Sequence, residues 1–485
     1  MKRIIKITAL MLAALTLLCA CGKQGATVTT VDYTWTMKTD GFSLTPGQFT
    51  YFYDMVCDGY ASYAEHLGFS TDKPLDEQKC KGGTSEDYTW HDYFVDETMD
   101  QLKDMLYLYQ AALDKGLTLD AEKEAMIEEN ISNLHKAAET QGVSVESLIA
   151  ENYGSAVTED DMRTCMRIQF LSSAMSESLT DDIEYTDEEL EAECAADMAT
   201  YYSSECLRFD FTVQISSSSK TEELEKAKAD AKAQADKLLA AAKDEESFIT
   251  AVREYLTGVD GISEDKIEQA LEDVRQSVMY SKNTDYTKWI FEQDADGAFI
   301  RKSNEVKNFY SDANGRYTVC LILEPAGRAD YAVRDVRHLL ISVDSFDKEL
   351  GLPDAEAKAR AEELLGEMRE NGVSEEQFAE MAKEYSTDGG SADDGGLYTE
   401  VGKGEMVDAF DEWLFADGRT AGDMDIVYTE YGYHIMYYVG EGETKWKRDA
   451  TANLRNKSYN SEYRKLVEKY TLSVNRPCLD TIESK

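Results

Sequence analysis

The residues of this sequence best suited to side-chain chemistry lie in its last third. The 485 residues include only five histidines, and two of them, His338 and His434, occupy segments with the alternating apolar pattern of a strand. Asp388 lies in a glycine-rich loop between them, and Thr429 precedes the second histidine. Such polar groups can act together when a partly dry cleft orients them. A single strand histidine is ordinarily structural, so it is the joint placement of the two histidines that indicates a functional site.

Four short motifs succeed one another in this region. They are Val336-Arg-His338-Leu-Leu-Ile341, the Ser386-Thr-Asp388-Gly-Gly-Ser loop ending in Gly395-Gly396, Gly402-Lys-Gly404-Glu-Met406-Val-Asp-Ala-Phe410, and Tyr428-Thr429-Glu-Tyr-Gly432-Tyr-His434. Each motif alone is weak. Their order and spacing over residues 330–441, about a quarter of the chain, resemble the parvulin (PpiC) family of peptidyl-prolyl cis/trans isomerases.

The resemblance implies a reaction and a role for each residue. An Xaa-Pro bond isomerises over a barrier of about 18–20 kcal/mol, and no covalent bond is broken. The enzyme has to hold proline in an apolar pocket and favour the twisted amide, so neither a cofactor nor a metal is expected. The implied hydrogen-bond network is His338, His434 and Thr429, with Asp388 facing the twisting carbonyl and Met406 and Phe410 in the proline pocket.

One segment departs from the family pattern. Bacterial parvulins usually continue the Gly-Gly pair with Asp-Leu-Gly and an aromatic residue, whereas here Leu397-Tyr398-Thr399-Glu400 follows. The pocket leucine of the family corresponds to Tyr398 or, with a slip of one residue, to Leu397. The departure bears on catalytic rate rather than on fold.

The elements that position these residues are predicted to occur twice. The pattern indicates a strand over 333–343, helices over 354–370 and 374–385, and a strand over 434–439. A similar order begins at Cys206, at a spacing of about 125 residues, which favours an internal duplication. Aligning the strands pairs Phe209 with His338 and Tyr317 with His434, so the first copy is expected to be degenerate and non-catalytic.

The region before Cys206 is predicted to be helical, and the predicted fold class of the chain is α+β. Amphipathic spacing indicates successive helices between 41 and 205, with Thr158 and Thr186 as helix caps. A basic helix is predicted to start near residue 444. The predicted domains are a signal peptide (1–20), a tether (21–40), a helical chaperone-like module (41–205), a degenerate parvulin-like domain (206–328), a parvulin domain (330–441), and a C-terminal helix and tail (444–485).

The N-terminus has the pattern of an export signal. Lys2, Arg3 and Lys6 precede an apolar run over 7–20, which is too short to span a bilayer but fits a signal peptide. The Leu18-Cys19-Ala20-Cys21 string resembles a bacterial lipobox, which implies lipidation of Cys21. We therefore expect an extracytoplasmic protein anchored to the cell membrane by a lipid; an ordinary cleavage site is the alternative.

Charge and cysteine content exclude other classes. The 95 acidic residues outnumber 50 basic ones, for a net charge of −45, so nucleic acid is not an expected partner. Seven cysteines remain after Cys21, an odd number without a Cys-x-x-Cys pair, which disfavours a zinc site or a dense disulfide framework. Buried thiols are expected, with a local Cys57–Cys80 bridge as the alternative.

These expectations combine into one leading function and two rivals. The whole chain resembles extracytoplasmic foldases of the PrsA and SurA types. The resemblance implies a membrane-anchored isomerase that assists folding of newly secreted, proline-containing polypeptides. The first rival is a non-catalytic holdase with an inactive parvulin domain. The second, a solute-binding lipoprotein, would need two α/β lobes around a hinge, which the helical start does not suggest.

Overall fold

A computed structural model describes residues 31–485 except 82, 84, 214–220 and 349. The described chain forms two compact units, one running to Asp182 and including Ser458–Lys485, the other comprising Ile183–Lys457. The predictions for the signal peptide and for lipidation of Cys21 lie outside the described residues. Within the described part, no helix has the length and apolar character needed to cross a membrane.

The first unit is mainly helical. Thr45, Thr89 and Thr158 each begin a helix with a reciprocal capping box, and the box predicted at Thr158 is confirmed. Its elements before Asp182 are β1 (Met37–Lys38), β2 (Ser43–Leu44), α1 (Pro46–Ala61), α2 (Ala64–Leu67), α3 (Trp90–Lys115), α4 (Ala121–Gln141), α5 (Val145–Tyr153) and α6 (Glu159–Glu177).

The second unit contains two four-stranded sheets with their helices. Its first half comprises α7 (Asp187–Ala196), α8 (Met198–Tyr201), β3 (Tyr202–Thr212), α9 (Thr221–Ala241), α10 (Glu245–Thr257), α11 (Glu264–Glu272), β4 (Arg275–Met279), α12 (Asp285–Ile290), β5 (Val306–Ser311) and β6 (Arg316–Arg328). Its second half comprises β7 (Ala332–Ser342), α13 (Asp354–Asn371), α14 (Glu375–Tyr385), β8 (Leu397–Val401), α15 (Asp408–Leu414), β9 (Met424–Thr429) and β10 (Gly432–Thr444).

Three elements complete the chain. Helix α16 (Lys445–Lys469) follows β10 directly, and β11 (Ser473–Val474) and α17 (Arg476–Leu479) come after it. β11 pairs with β1, which pairs with β2, so the two ends of the first unit share a small antiparallel sheet. The predicted C-terminal helix is therefore present, and the α+β class is confirmed.

The two larger sheets have the same strand order, which is what an internal duplication predicts. The first runs β4-β3-β6-β5 and the second β8-β7-β10-β9. The sequence indicated the two central strands of each sheet but not the edge strands, which have only five or six residues and little apolar alternation. Helix α11 likewise was not predicted from the sequence.

Two apolar layers hold the central strands of the second sheet. Leu339 and Ile435 pack on one face with residues of α13 and α14, whereas Val336 and Met436 pack on the other face with residues of α15. The face toward α15 carries the predicted functional residues. All seven cysteines of the described chain are free thiols, and six of them are buried, so Cys57 and Cys80 form no bridge.

Candidate active site

The two histidines meet on one face of the second sheet. β7 and β10 are antiparallel neighbours in which Leu340 lies opposite His434 and His338 lies opposite Met436. Residues two positions apart in a strand share a face, so the histidines are diagonal neighbours. Their Nδ1 atoms are 3.0 Å apart, their rings stack at 22°, and both side chains are buried.

Each imidazole uses its second nitrogen in a further hydrogen bond. Nε2 of His434 lies 2.8 Å from Oγ1 of Thr429, and Nε2 of His338 lies 3.0 Å from Oδ2 of Asp388. A carboxylate only accepts, so Nε2 of His338 carries the hydrogen. With both rings neutral, His338 accepts from Nδ1–H of His434, and His434 accepts from the Thr429 hydroxyl. The donors then all point toward Asp388, and we call this series of four residues the relay.

The surroundings favour one protonation state at two positions of the relay. Burial, assisted by the neighbouring His338, lowers the pKa of His434 to about 3, so this imidazole is neutral at physiological pH. The hydrogen bond from His338 holds the pKa of Asp388 well below its usual range, and a bond from Ser391 acts in the same direction. The relay therefore contains a neutral imidazole at His434 and ends in an ionised carboxylate at Asp388.

The loop that carries Asp388 is fixed to β7 by the two residues before it. The hydroxyl of Ser386 accepts from the backbone N–H of Leu340, and the N–H of Thr387 donates to the carbonyl of Leu340. The Thr387 hydroxyl lies 2.7 Å from the hydroxyl of Ser342. These bonds hold the loop against the strand, so Asp388 has a defined position relative to His338.

Ser391 belongs to the site although the sequence did not single it out. Its side chain is buried, its hydroxyl donates to Oδ2 of Asp388 at 2.5 Å, and Nε2 of His338 lies 3.0 Å from it. The spacing of Asp388 and Ser391 is the available signal, because an Asp with a Ser three residues later often closes a local hydrogen-bonded turn.

Gly396 is required by the closeness of the loop to β7. Its backbone φ is +73°, and its carbonyl accepts from the N–H of His338 at 2.8 Å. A Cβ at this position would lie 1.9 Å from the carbonyl oxygen of His338, which is closer than any side chain permits. The Gly-Gly motif therefore serves the backbone approach that brings β8 beside the relay.

Aromatic rings cover the relay. Phe410 is buried and stands edge-on to both imidazoles, with ring centroids at 5.5 Å and 5.8 Å. Tyr398 lies against the ring of His338 at 5.3 Å, and its hydroxyl donates to Oδ2 of Asp388 at 3.2 Å. Met406 packs with the same apolar cluster.

The structure separates the two candidates for the family's pocket leucine. Tyr398 faces the relay, where its ring contacts His338. Leu397 pairs with Arg337, and because neighbouring residues of a strand point to opposite faces, Leu397 is directed away from the relay. Of the predicted site residues among those described, the structure brings together all except Leu397.

The first sheet carries different residues at the matching positions. The alignment that paired Phe209 and Tyr317 with the histidines is wrong, because both rings pack with residues of α9 and α10, on the face opposite to α12. The shared strand register gives these equivalent pairs instead: Arg208 and His338, Thr318 and His434, Ser311 and Thr429. No histidine lies anywhere between residues 136 and 337, so the first sheet cannot build a second relay.

Comparison with known families agrees with this geometry. Residues 326–440 match the PPIC-type PPIASE domain, over the strands and the loop that build the relay. This segment is a PPIC-type PPIASE domain. The predicted resemblance to the parvulin (PpiC) family is thus confirmed for the part of the chain that carries the four motifs.

Curated relatives match the same part of the chain. It is 35% identical over 128 residues to "Foldase protein PrsA" of Staphylococcus epidermidis, covering 25% of this chain and 37% of the relative. It is 32% identical over 130 residues to the protein of the same name from Exiguobacterium sibiricum, covering 24% and 41%. The chain thus spans less than half the length of these relatives.

Solved structures with detectable similarity include proteins of related names. PrsA from Bacillus subtilis is 14% identical, with 81% of this chain and 91% of that chain covered and a TM-score of 0.29. A peptidyl-prolyl isomerase from Candida albicans is 25% identical, with 22% and 63% covered and a TM-score of 0.20.

Proposed function

We propose that the PPIC-type domain catalyses cis/trans isomerisation of Xaa-Pro peptide bonds. The observation that supports the proposal most directly is the relay from Thr429 to Asp388, buried under Phe410 and Tyr398. Phe410, Met406 and Tyr398 would hold the proline ring. The water-poor surroundings would strengthen every polar contact with the twisting amide.

Asp388 would act through its negative charge. In the planar amide the carbonyl oxygen carries more negative charge than in the twisted amide, because twisting removes the conjugation with nitrogen. A carboxylate beside that oxygen therefore destabilises the planar form relative to the twisted one. His338, Ser391 and Tyr398 all bond to Oδ2. Among the described residues, Oδ1 receives only a long bond of 3.5 Å from the N–H of Gly390. Oδ1 would be the oxygen that meets the substrate.

We propose that the whole chain is an extracytoplasmic foldase that assists newly secreted polypeptides and is anchored through a lipid on Cys21. The basic start and apolar run over 7–20 support export, and the name "Foldase protein PrsA" of the curated relatives supports the folding role. We assign residues 41–205 to the chaperone-like module, 206–328 to a non-catalytic parvulin-like domain and 330–441 to the isomerase.

A non-catalytic holdase is the second candidate, and one observation favours it. The helical unit has an apolar cavity of about 290 Å³ lined by residues of α1, α3 and α6, among them Phe52, Met55, Leu102 and Met105. Flexible methionines suit a surface that accepts varied apolar side chains. Such a cavity could bind unfolded chain without any isomerisation.

The experiment that separates the two functions compares catalysis with holding in the same protein. We expect the chain from residue 22 onward to accelerate cis/trans exchange of the peptide Ala-Ala-Pro-Phe, measured by NMR exchange spectroscopy. His434→Ala should lower kcat/KM about tenfold, because positioned hydrogen-bonding groups typically contribute that much or more. Suppression of aggregation of a reduced, proline-poor protein should remain.

The opposite result would support the holdase. If the wild-type chain suppresses aggregation but leaves peptide exchange at its spontaneous rate, the isomerase proposal fails. His66→Ala serves as the control, because His66 is exposed and lies in the first unit.

Removal of the Ser391 hydroxyl should shift the acid limb of the pH profile of kcat/KM to higher pH. Ser391→Ala deletes a donor to Asp388, so the pKa of Asp388 should rise toward its usual range. Since the ionised form is the active one, activity should be lost at a higher pH as the solution is acidified. At neutral pH, kcat/KM should fall roughly threefold to tenfold. The measurement is kcat/KM from pH 7 down to the lowest pH at which circular dichroism shows both proteins to be folded, together with the carboxyl 13C shift of Asp388 over the same range. An Asp388 titration at the same pH in both proteins would contradict the assignment.

A further inference from the structure

Two chain segments that carry residues proposed to hold the proline ring converge on one glutamate, and we call these segments the cleft walls. Strand β8 carries Tyr398 and ends near Glu400, and the turn at 402–405 leads into Met406. The side chain of Glu405 accepts from the N–H of Gly402 at 2.8 Å, which closes this turn. The position of the cleft wall therefore depends on what holds Glu405.

Glu405 is held by residues that lie outside the matched PPIC-type segment. Arg448, in the first turn of α16, makes a bidentate pair with Glu405 at 2.9 Å and 2.5 Å. Lys445 adds a contact of 3.2 Å to the same carboxylate, and Asp449 bonds to both cations. The bond from Arg448 contributes most to lowering the pKa of Glu405, which falls to about 2, and the bond from Lys445 acts in the same direction. We call Arg448, Lys445 and Glu405 the clamp.

Arg448 also reaches the end of β8. Its Nη1 donates to the backbone carbonyl of Glu400, a non-glycine residue with φ of +54°. The N–H of Glu400 is held by the carboxylate of Asp335 at 2.6 Å. A side chain in the left-handed region is strained, and such strain persists only where surrounding bonds maintain it.

The start of α16 is firmly placed. The N–H of Lys445 donates to the carbonyl of Tyr331 at 2.8 Å, and the indole of Trp446 is buried under the guanidinium of Arg328 at 3.9 Å. The side chain of Arg448 is only 17% exposed. A partly buried, bidentate arginine on a fixed helix start is a rigid anchor, unlike a surface ion pair.

We propose that Arg448, supported by Lys445, is a positioning residue for the isomerase site. It touches no substrate. It fixes both walls of the cleft, β8 with Tyr398 and the turn before Met406, from a helix that lies outside the PPIC-type segment. The kinetic part of this inference rests on the proposed isomerase function.

The test uses the chain from residue 22 onward and five variants, one of them a control. Arg448→Ala should raise KM for Ala-Ala-Pro-Phe about tenfold with a smaller change in kcat, because displaced walls weaken substrate placement. Arg448→Lys, which keeps the charge but not the bidentate geometry, should restore part of the loss. Glu405→Ala should resemble Arg448→Ala, and the double variant should be no worse than either single one. Arg455→Ala, an exposed arginine on the same helix, is the control.

A second measurement decides the proposal even if the chain proves inactive. In amide hydrogen exchange of the same proteins, Arg448→Ala should accelerate exchange of the segment 397–407 about tenfold relative to that of 433–438. Absence of catalysis in the wild-type chain would overturn the proposed function but not the clamp. Unchanged exchange over 397–407 in Arg448→Ala would overturn the clamp, as would an unchanged KM where the wild-type chain is active.

Discussion

Asp388→Asn in the full chain is expected to lower kcat/KM for Ala-Ala-Pro-Phe about 100-fold and to leave the fold intact. The substitution keeps the size of the side chain and removes its charge. Oδ2 accepts from His338, Ser391 and Tyr398, and an amide offers these donors either a neutral oxygen or an NH2 group that repels them. Loss of one positioned electrostatic group commonly costs about 10²–10³ in rate.

The matched control for this variant is Asp393→Asn in the same loop. Asp393 is exposed, so its substitution should leave kcat/KM within twofold of the wild-type value. Circular dichroism and thermal unfolding of both variants would show that the fold is retained. If the kcat/KM of Asp388→Asn were within threefold of the wild-type value, the carboxylate would have no part in the mechanism. The first sheet cannot mask the loss, because it carries Arg208 and Thr318 where the relay has histidines.

Most of what positions the relay could be predicted because it obeys simple periodicity. The central strands and the helices α13 and α14 bury regular apolar faces, so their spacing is visible in the sequence. The meeting of His338 and His434 could not be derived from periodicity. Periodicity fails here because the pairing of the whole sheet decides which residues distant in sequence become neighbours. Only the resemblance to the family implied the contact.

The residues that were missed act through contacts that no local pattern reveals. Ser391 is one of many serines in loops, and only the fold shows that its hydroxyl is buried between His338 and Asp388. In the sequence, Arg448 is one of several cations in the predicted basic helix, and nothing in the pattern names its partner. The structure adds the particular carboxylate, Glu405, that it binds.

The wrong pairing of the first copy has a specific physical cause. The pairing of Phe209 with His338 comes from aligning the two strands by their sequence pattern alone. A shift of one residue along a strand exchanges its two faces, so a small error in alignment selects the wrong face completely. Phe209 packs against Tyr255 of helix α10, so it lies on the face opposite to the one that corresponds to the relay.

The stability of the PPIC-type domain should fall as the pH is lowered from about 6.5 to 4.5, and His434 should account for a large part of the fall. Burial lowers the pKa of His434 to about 3 in the folded chain, against about 6.5 when unfolded. In this window the unfolded chain binds a proton at His434 that the native chain does not, so acidification favours unfolding. The expected contribution is on the order of 2 kcal/mol across two pH units.

Titration of Asp388 does not interfere with the effect of His434 on stability in this range of pH. Its folded pKa lies below its ordinary value, so its contribution to stability is present above the unfolded value of about 4 and is lost only as the pH falls further. Between pH 6.5 and 4.5 it is largely ionised in both states and adds little slope. The histidine effect and the carboxylate effect thus occupy separate ranges of pH.

The measurement is native-state hydrogen exchange of the β10 amides at Ile435 and Met436, corrected for the intrinsic exchange rate at each pH. His434→Gln keeps a side chain that can bond to both Thr429 and His338 but does not titrate. Its opening free energy should therefore depend on pH less steeply than that of the wild type. His66→Gln, at an exposed histidine of the first unit, should retain the wild-type slope. Equal slopes in wild type and His434→Gln would mean that His434 is not held neutral by burial, and the protonation state assigned to the relay would have to be reversed.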